Sequence, residues 1–276
     1  MKTAPISSQF LREQNGHGCH WCQHYHLWLV LAILLGFSPA CGGGSSGPGN
    51  GSAPSTAPVF VTEAHSATDG AGPEFNSSTL TINVSGTNTL LIAAWHSEFD
   101  GGLPDDWSVQ DNGLAGTEIV DTDGYTGGAG NRRFRIYYWV NPAPGTNTVV
   151  VSNPNTGANE LAVSVILLNH VSPTSPIGTP ILDVSTAART GESETVPTSS
   201  SDLVIHVIAD ALLTRGTLGS GETSVSIAND GNHPADGDAS LWISTKPGSS
   251  GNTTVSSSGW ASRTINGVGI AVHGTM

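Results

Sequence analysis

A chain of 276 residues is long enough to build one or two domains with real cores. Its net charge of -13 sets it against phosphate backbones and argues against a nucleic-acid partner. Only 11% of residues are charged, while glycine (35) and proline (16) are plentiful, which suits an extracellular all-β protein better than a cytosolic helical one.

The first segment, "HGCHWCQHYH", holds Cys19 and Cys22 among four histidines. A C-x-x-C with histidines nearby reads as metal or redox chemistry. It lies upstream of the apolar run 27–37, however, and is removed if that run is a signal core. Gln23 stands where covalent haem attachment needs histidine. The run is too short to cross a bilayer, which takes about 20 residues, and matches a signal-peptide core of about 7–15. It ends in Ser38, Pro39, Ala40 and Cys41, followed by "GGGSSGPGNGSAPSTAP".

These residues resemble a bacterial lipoprotein signal, in which the cysteine after a small residue becomes the lipidated first residue of the mature protein. The sequence departs from the usual pattern at Ser38, where leucine is customary. An ordinary signal peptidase would cut the same Ala40–Cys41 bond. Residues 1–40 are therefore expected to be a signal peptide, and 41–57 a flexible tether with a lipidated Cys41. Residues 58–276 would be a single β-sandwich domain, held at the outer membrane or cell surface, or secreted if Cys41 is not acylated. Removal of residues 1–40 takes Lys2, Arg12 and Glu13, leaving 7 basic and 21 acidic residues, or -14. With one cysteine left, no internal disulfide can form, and the core must hold the domain together.

Beyond residue 58 the signal is period-two alternation, the mark of half-buried strands. "TLTINV" sets Leu80, Ile82 and Val84 against Thr79, Thr81 and Asn83. "RRFRIYYWV" sets Phe134, Ile136, Tyr138 and Val140 against Arg133, Arg135, Tyr137 and Trp139. "ELAVSVILLNHV" and "DLVIHVIADAL" are more continuously apolar, as central strands are; "ASLWIS" and "INGVGIAVHG" resume the alternation. Turn formers such as "SGTN", "NPAPGTN" and "GSSGN" separate the runs. The expectation is an all-β fold of about a dozen strands in a two-sheet antiparallel sandwich, jelly-roll-like. "SSTLTINVSGTNTLLIAAWHSE" and "GESETVPTSSSDLVIHVIADAL" echo each other as short strand, polar turn and long apolar strand. Two halves of one sandwich with similar topology, or merely two ordinary hairpins, would read this way, and the echo does not divide the domain.

The succession "TNTLLIAAWHSE", "RIYYWVNPAPGTNTVVVSNP", "VILLNHVSPTSPIG" and "SSSDLVIHVIAD" is similar to a widespread bacterial secreted β-sandwich module over most of residues 60–275. That resemblance implies the sandwich and an adhesion or carbohydrate-binding setting; it transfers no catalytic residue.

Three groups of residues are candidates for a site. Arg133, Arg135, Tyr137 and Trp139 share one side of a strand, and indole and guanidinium groups beside hydroxyls suit the apolar face and polar rim of a sugar. Equally, such side chains form ordinary cross-strand pairs on an exposed sheet or are covered by a loop. Glu98, Asp100, Asp105, Asp106, Asp121 and Asp123 offer oxygens in Gly-rich loops, as a structural calcium would require, with Asp111 beside them and Asp230, Asp236 and Asp238 as a weaker second set. Asp, Asn and Gly also dominate turns for conformational reasons alone. His96, His170, His206, His233 and His273 read as isolated strand or loop histidines, with no G-x-S-x-G or H-E-x-x-H beside them. No cofactor is required by any of these patterns.

The functional expectation is a non-catalytic envelope module that binds a glycan or another cell-surface ligand. The alternatives are a polysaccharide lyase or hydrolase using Arg133, Arg135, Tyr137 and a loop carboxylate, and a passive structural spacer. The mature N-terminus should be Cys41 carrying acyl chains. Intact mass of the membrane-extracted protein checks this, and an unmodified Cys41 would remove the anchor.

Overall fold

The computed structural model describes residues 55–68, 77–99, 107–127, 130–153, 160–185, 187–210, 216–229 and 239–275. The signal segment, the tether with Cys41, Cys19, Cys22, Asp100, Asp105, Asp106 and the 230–238 loop with His233 all lie outside them.

The strands are β1 (Val59–Thr68), β2 (Ser77–Val84), β3 (Leu90–Phe99), β4 (Ser108–Asp111), β5 (Leu114–Ala115), β6 (Thr117–Gly127), β7 (Gly130–Val140), β8 (Gly145–Ser152) and β9 (Glu160–Asn169). A second series follows: β10 (Ile181–Asp183), β11 (Arg189–Thr198), β12 (Leu203–Asp210), β13 (Thr217–Leu218), β14 (Thr223–Asn229), β15 (Ser240–Pro247), β16 (Gly251–Arg263) and β17 (Ile265–Val272). All ladders between them are antiparallel.

The chain forms the expected all-β antiparallel fold, but as two rolls of two sheets each instead of one large two-sheet sandwich. In the first series β1 pairs with β9, β2 with β8 and β3 with β7, a nested hairpin rolled into two sheets. This is jelly-roll winding. In the second, β10 pairs with β17, β11 with β16 and β12 with β15. The inner sheets run β1-β9-β3-β7-β6 and β10-β17-β12-β15-β14; the outer sheets run β2-β8-β4-β5 and β11-β16-β13. Among the described strands only β5 lacks a counterpart, so the echo between "SSTLTINV…" and "GESETVPT…" marks a true topological repeat.

Burial explains why inner and outer strands read differently. The largest apolar cluster joins the two inner sheets, with Leu90, Ile92, Ala94, Phe134, Ile136 and Ile166 from one and Ile205, Val207, Leu241, Ile243, Val268 and Ile270 from the other. Outer sheets cover the far faces. Leu80, Ile82, Val84, Val149 and Val151 pack on Leu91, Ala93, Trp95, Val163 and Val165 in the first half. Val196 and Val255 pack on Val204 and Ala271 in the second. The central inner strands β9, β12 and β17 thus have almost no solvent face, and β17 is buried along its whole length. Sheets covered on both faces give continuous apolar runs. Strand β2, with one face in water, alternates strictly between exposed and buried.

The halves are also tied by polar contacts. Ser226 Oγ donates to Glu63 Oε2 (2.9 Å) and stands 3.0 Å from Ser164 Oγ, while Glu160 Oε2 accepts the Ala239 amide (2.6 Å). Because the main core belongs equally to both halves, neither inner sheet can lose its partner without exposing a full apolar face. Ile205→Ala should therefore cost about 2–5 kcal/mol and leave one cooperative transition. Urea denaturation followed by tryptophan fluorescence and far-UV circular dichroism checks this, and two separated transitions would contradict the shared core.

Candidate functional site

Arg133, Arg135, Tyr137 and Trp139 do share one side of β7, as the alternation indicates, but that side is not open. It faces the outer sheet β2-β8-β4-β5, and the four residues are 2%, 8%, 6% and 8% exposed. Trp139 donates its indole N–H to the Leu114 carbonyl (3.1 Å). It lies so close under Gly116 that a Cβ there would come within 2.7 Å of the ring. The covered reading of this face is the correct one, and it offers no platform for a sugar ring.

The arginines are there for a local reason. β6 runs beside β7 and pairs Asp121 with Arg135. Arg133 donates to Asp121 through Nε (3.0 Å, to Oδ1) and Nη2 (2.7 Å, to Oδ2), a bidentate grip. Arg135 Nη2 donates to the same Oδ2 (2.6 Å). Its Nη1 lies 3.5 Å from Glu118 Oε2 and donates to the Tyr137 hydroxyl (3.2 Å), which itself donates to Glu118 Oε2 (2.7 Å). Two guanidiniums meet two carboxylates, so the network is electrically balanced. Burial, reinforced by Glu118, raises the Tyr137 pKa and keeps its hydroxyl protonated.

Of the acidic residues considered for calcium, Asp121 is committed to Arg133 and Arg135 and is not an open ligand. Glu98 falls in β3 and Asp123 in β6. Asp111, at the end of β4 in the outer sheet, is buried, and burial raises its pKa. His96 is buried in β3. His170 occupies a left-handed turn position (φ 61°), and His273 Nδ1 lies 3.1 Å from Asp202 Oδ1 at the end of the fold.

The second half holds a cluster that the sequence does not announce. His206, on β12, points at the outer sheet and is completely buried. Glu192 and Glu194 come down on it from β11, with Nε2 lying 3.1 Å from Glu192 Oε2 and 3.3 Å from Glu194 Oε2. On its other side Nδ1 lies 2.9 Å from Glu222 Oε2. Glu222 is itself fixed, accepting from Ser244 Oγ (2.8 Å) and from the Ser256 amide (2.8 Å). Glu192 and Glu194 are 5% and 1% exposed.

One imidazole therefore faces three carboxylates. Burial alone would strip His206 of its proton, but hydrogen bonds to Glu192, Glu194 and Glu222 outweigh it and lift its pKa well above the usual value. Burial raises Glu194 to about 7 despite its contacts with His206, and the neighbouring Glu192 charge adds to the rise. Burial opposes ionisation of Glu192 and Glu222 as well, yet the bonds to His206 win and both pKa values are lowered. Even with His206 charged, three ionised carboxylates would leave two uncompensated charges in the interior, a costly state.

Glu192 and Glu194 escaped notice because "GESETVPT" looks like a polar strand in water. Parity was the available signal: Glu192 and Glu194 are in phase with Val196, which is fully buried, whereas Ser193 and Thr195 face out. Gly267 and Gly269 in an otherwise apolar strand were a second cue, since glycine inside a strand marks a close approach.

No protein-family model, curated protein or solved structure matches this chain. The two buried clusters have to be read from their chemistry. For the arginine cluster, Asp121→Ala takes a shared carboxylate from two buried guanidiniums and should destabilise the protein by about 3 kcal/mol. Asp183→Ala, which removes a partner from the more exposed Arg189 (2.6 Å), should cost about 1 kcal/mol or less. Paired urea titrations check this, and equal losses would contradict the burial argument.

Proposed function

We propose that this chain is an exported, envelope-tethered module whose folded part makes non-catalytic contact with a polysaccharide or another surface ligand. The observation that carries the reading is the outer face of each outer sheet. On the first, Ser77, Thr79, Thr81 and Asn83 of β2 and Thr146 of β8 are exposed; on the second, Ser193 and Thr195 of β11 and Asn252 and Thr254 of β16 are. These are flat, uncharged arrays of hydroxyls and amides. They can exchange hydrogen bonds with a hydroxylated polymer without desolvating a charge.

The catalytic alternative loses its named residues, because Arg133, Arg135 and Tyr137 are engaged with Asp121 and Glu118 beneath an outer sheet. The apolar run, Cys41 and the Gly/Ser/Pro tract support export and tethering, with each buried lipid methylene adding about 0.8 kcal/mol to membrane attachment. A tether of this composition holds the folded part off the bilayer as a flexible coil.

Cys41→Ser should move the protein from the membrane fraction to the soluble fraction. In pull-downs on insoluble polysaccharides, the wild-type chain should be retained, and Thr79→Lys with Thr81→Lys should lower retention at least tenfold. No retention on any polysaccharide tested would leave the spacer reading in its place.

A further inference from the structure

The two halves share their winding, so each position in one has a counterpart in the other. Gly145 (φ 102°) and Gly251 (φ 101°) open β8 and β16, and pair with Val84 of β2 and Thr198 of β11 respectively. Counting back along these strands sets Glu194 against Leu80 and Glu192 against Ser78. On the inner sheets, Ile92 and Ile205 both face the main core, pairing with Ile166 and Ile270. This sets His206 against Ala93, Gly269 against Val165 and Gly267 against Val163.

The fold is thus closed in its first half with Leu80, Ala93, Val163 and Val165, all buried and apolar. In the second half the same place holds Glu194, His206 and two glycines. The exchange conserves space: larger ionisable groups enter where β17 gives up side chains. A Cβ on Gly267 would clash with Glu194 Oε1 and stand 2.5 Å from Glu192 Oε2. Jelly-roll closure does not call for charge here, so these residues answer another requirement.

We propose that Glu192, Glu194 and Nε2 of His206 bind a divalent transition-metal ion, zinc being the best match, which pins outer strand β11 to inner strand β12. Two observations carry this independently of the acidity of the cluster. The first is that Glu192 Oε1 and Glu194 Oε1, on side chains with no solvent exposure, have no hydrogen-bond partner, while Glu194 Oε2 is left to share the one Nε2 that Glu192 Oε2 engages. A proton on His206 reaches one oxygen of each carboxylate at best, and a dication engages several at once.

The second is the histidine's setting. Glu222 accepts from Nδ1 and leaves Nε2 as the donor atom toward the ion, the carboxylate–histidine–metal relay that orients imidazole ligands. Bonds of about 2.0–2.1 Å at a tetrahedral ion place donor atoms about 3.3 Å apart. The separations from Nε2 are 3.1 and 3.3 Å, and the three donor atoms lie within 4.8 Å of one another. Calcium, which takes six to eight oxygens at longer distances, fits this set poorly. The ion displaces the Nε2 proton, so a dication beside neutral His206 leaves the three carboxylates one charge from balance instead of two.

The experiment uses the full chain with Cys19, Cys22 and Cys41 changed to serine, so that no thiol competes. Equilibrium dialysis against zinc alone, read by elemental analysis, should give a tightly held equivalent. Glu194→Gln, which removes the charge at constant shape, should weaken that equivalent at least tenfold, and Glu222→Gln should weaken it about 10–100-fold. Zinc retained equally by the Glu194→Gln variant, or no zinc held by the parent, overturns the assignment. Should Glu194→Gln fail to fold, hydrogen exchange of the parent decides: zinc should slow the amides of β11 and β12 more than those of β2 and β3. No such difference also overturns it.

Discussion

The inner sheets have water on neither face, and the rest of the molecule answers to that condition. Most described side chains of β3, β9, β12 and β17 are buried between two layers. The strands must be apolar on both sides, and any polar group placed there must find its partners within the protein. Outer sheets exist to complete this enclosure. Since each outer sheet has a wet side, its strands can carry the Ser, Thr and Asn that keep so acidic and lightly charged a chain soluble.

The same condition separates the two polar clusters. Arg133, Arg135, Asp121 and Glu118 balance one another on adjacent strands of a single sheet, so their interior position is self-sufficient. His206 with Glu192, Glu194 and Glu222 spans two sheets and sets at most one positive charge against three carboxylates. A balanced network explains itself as structure; an unbalanced one, with carboxylate oxygens left without partners, points to something further.

Legibility in the sequence followed the same division. Outer strands such as β2 could be read from alternation, because water on one side and apolar packing on the other leave a period of two. Inner strands such as β9 could be read from unbroken apolar runs. The repeat was visible in the strand–turn–strand echo, although sequence alone could not say that it marks two rolls rather than two hairpins. What failed was the assumption that a polar residue in phase with its neighbours faces solvent. Tyr137 and Arg135 alternate correctly with Ile136, yet an outer sheet formed by distant residues covers them. Glu192 and Glu194 were hidden by the same ambiguity, since period two gives two faces and does not say which one is wet.

The pairing of equivalent faces has a consequence for how such a molecule can diverge. In a pair of identical half-length chains every substitution would appear twice. Joining the units in one polypeptide removes that restriction. One roll can keep its hydrocarbon filling as a foundation, while the other exchanges leucine, alanine and valine for glutamate, histidine and glycine without repeating the risk in its twin.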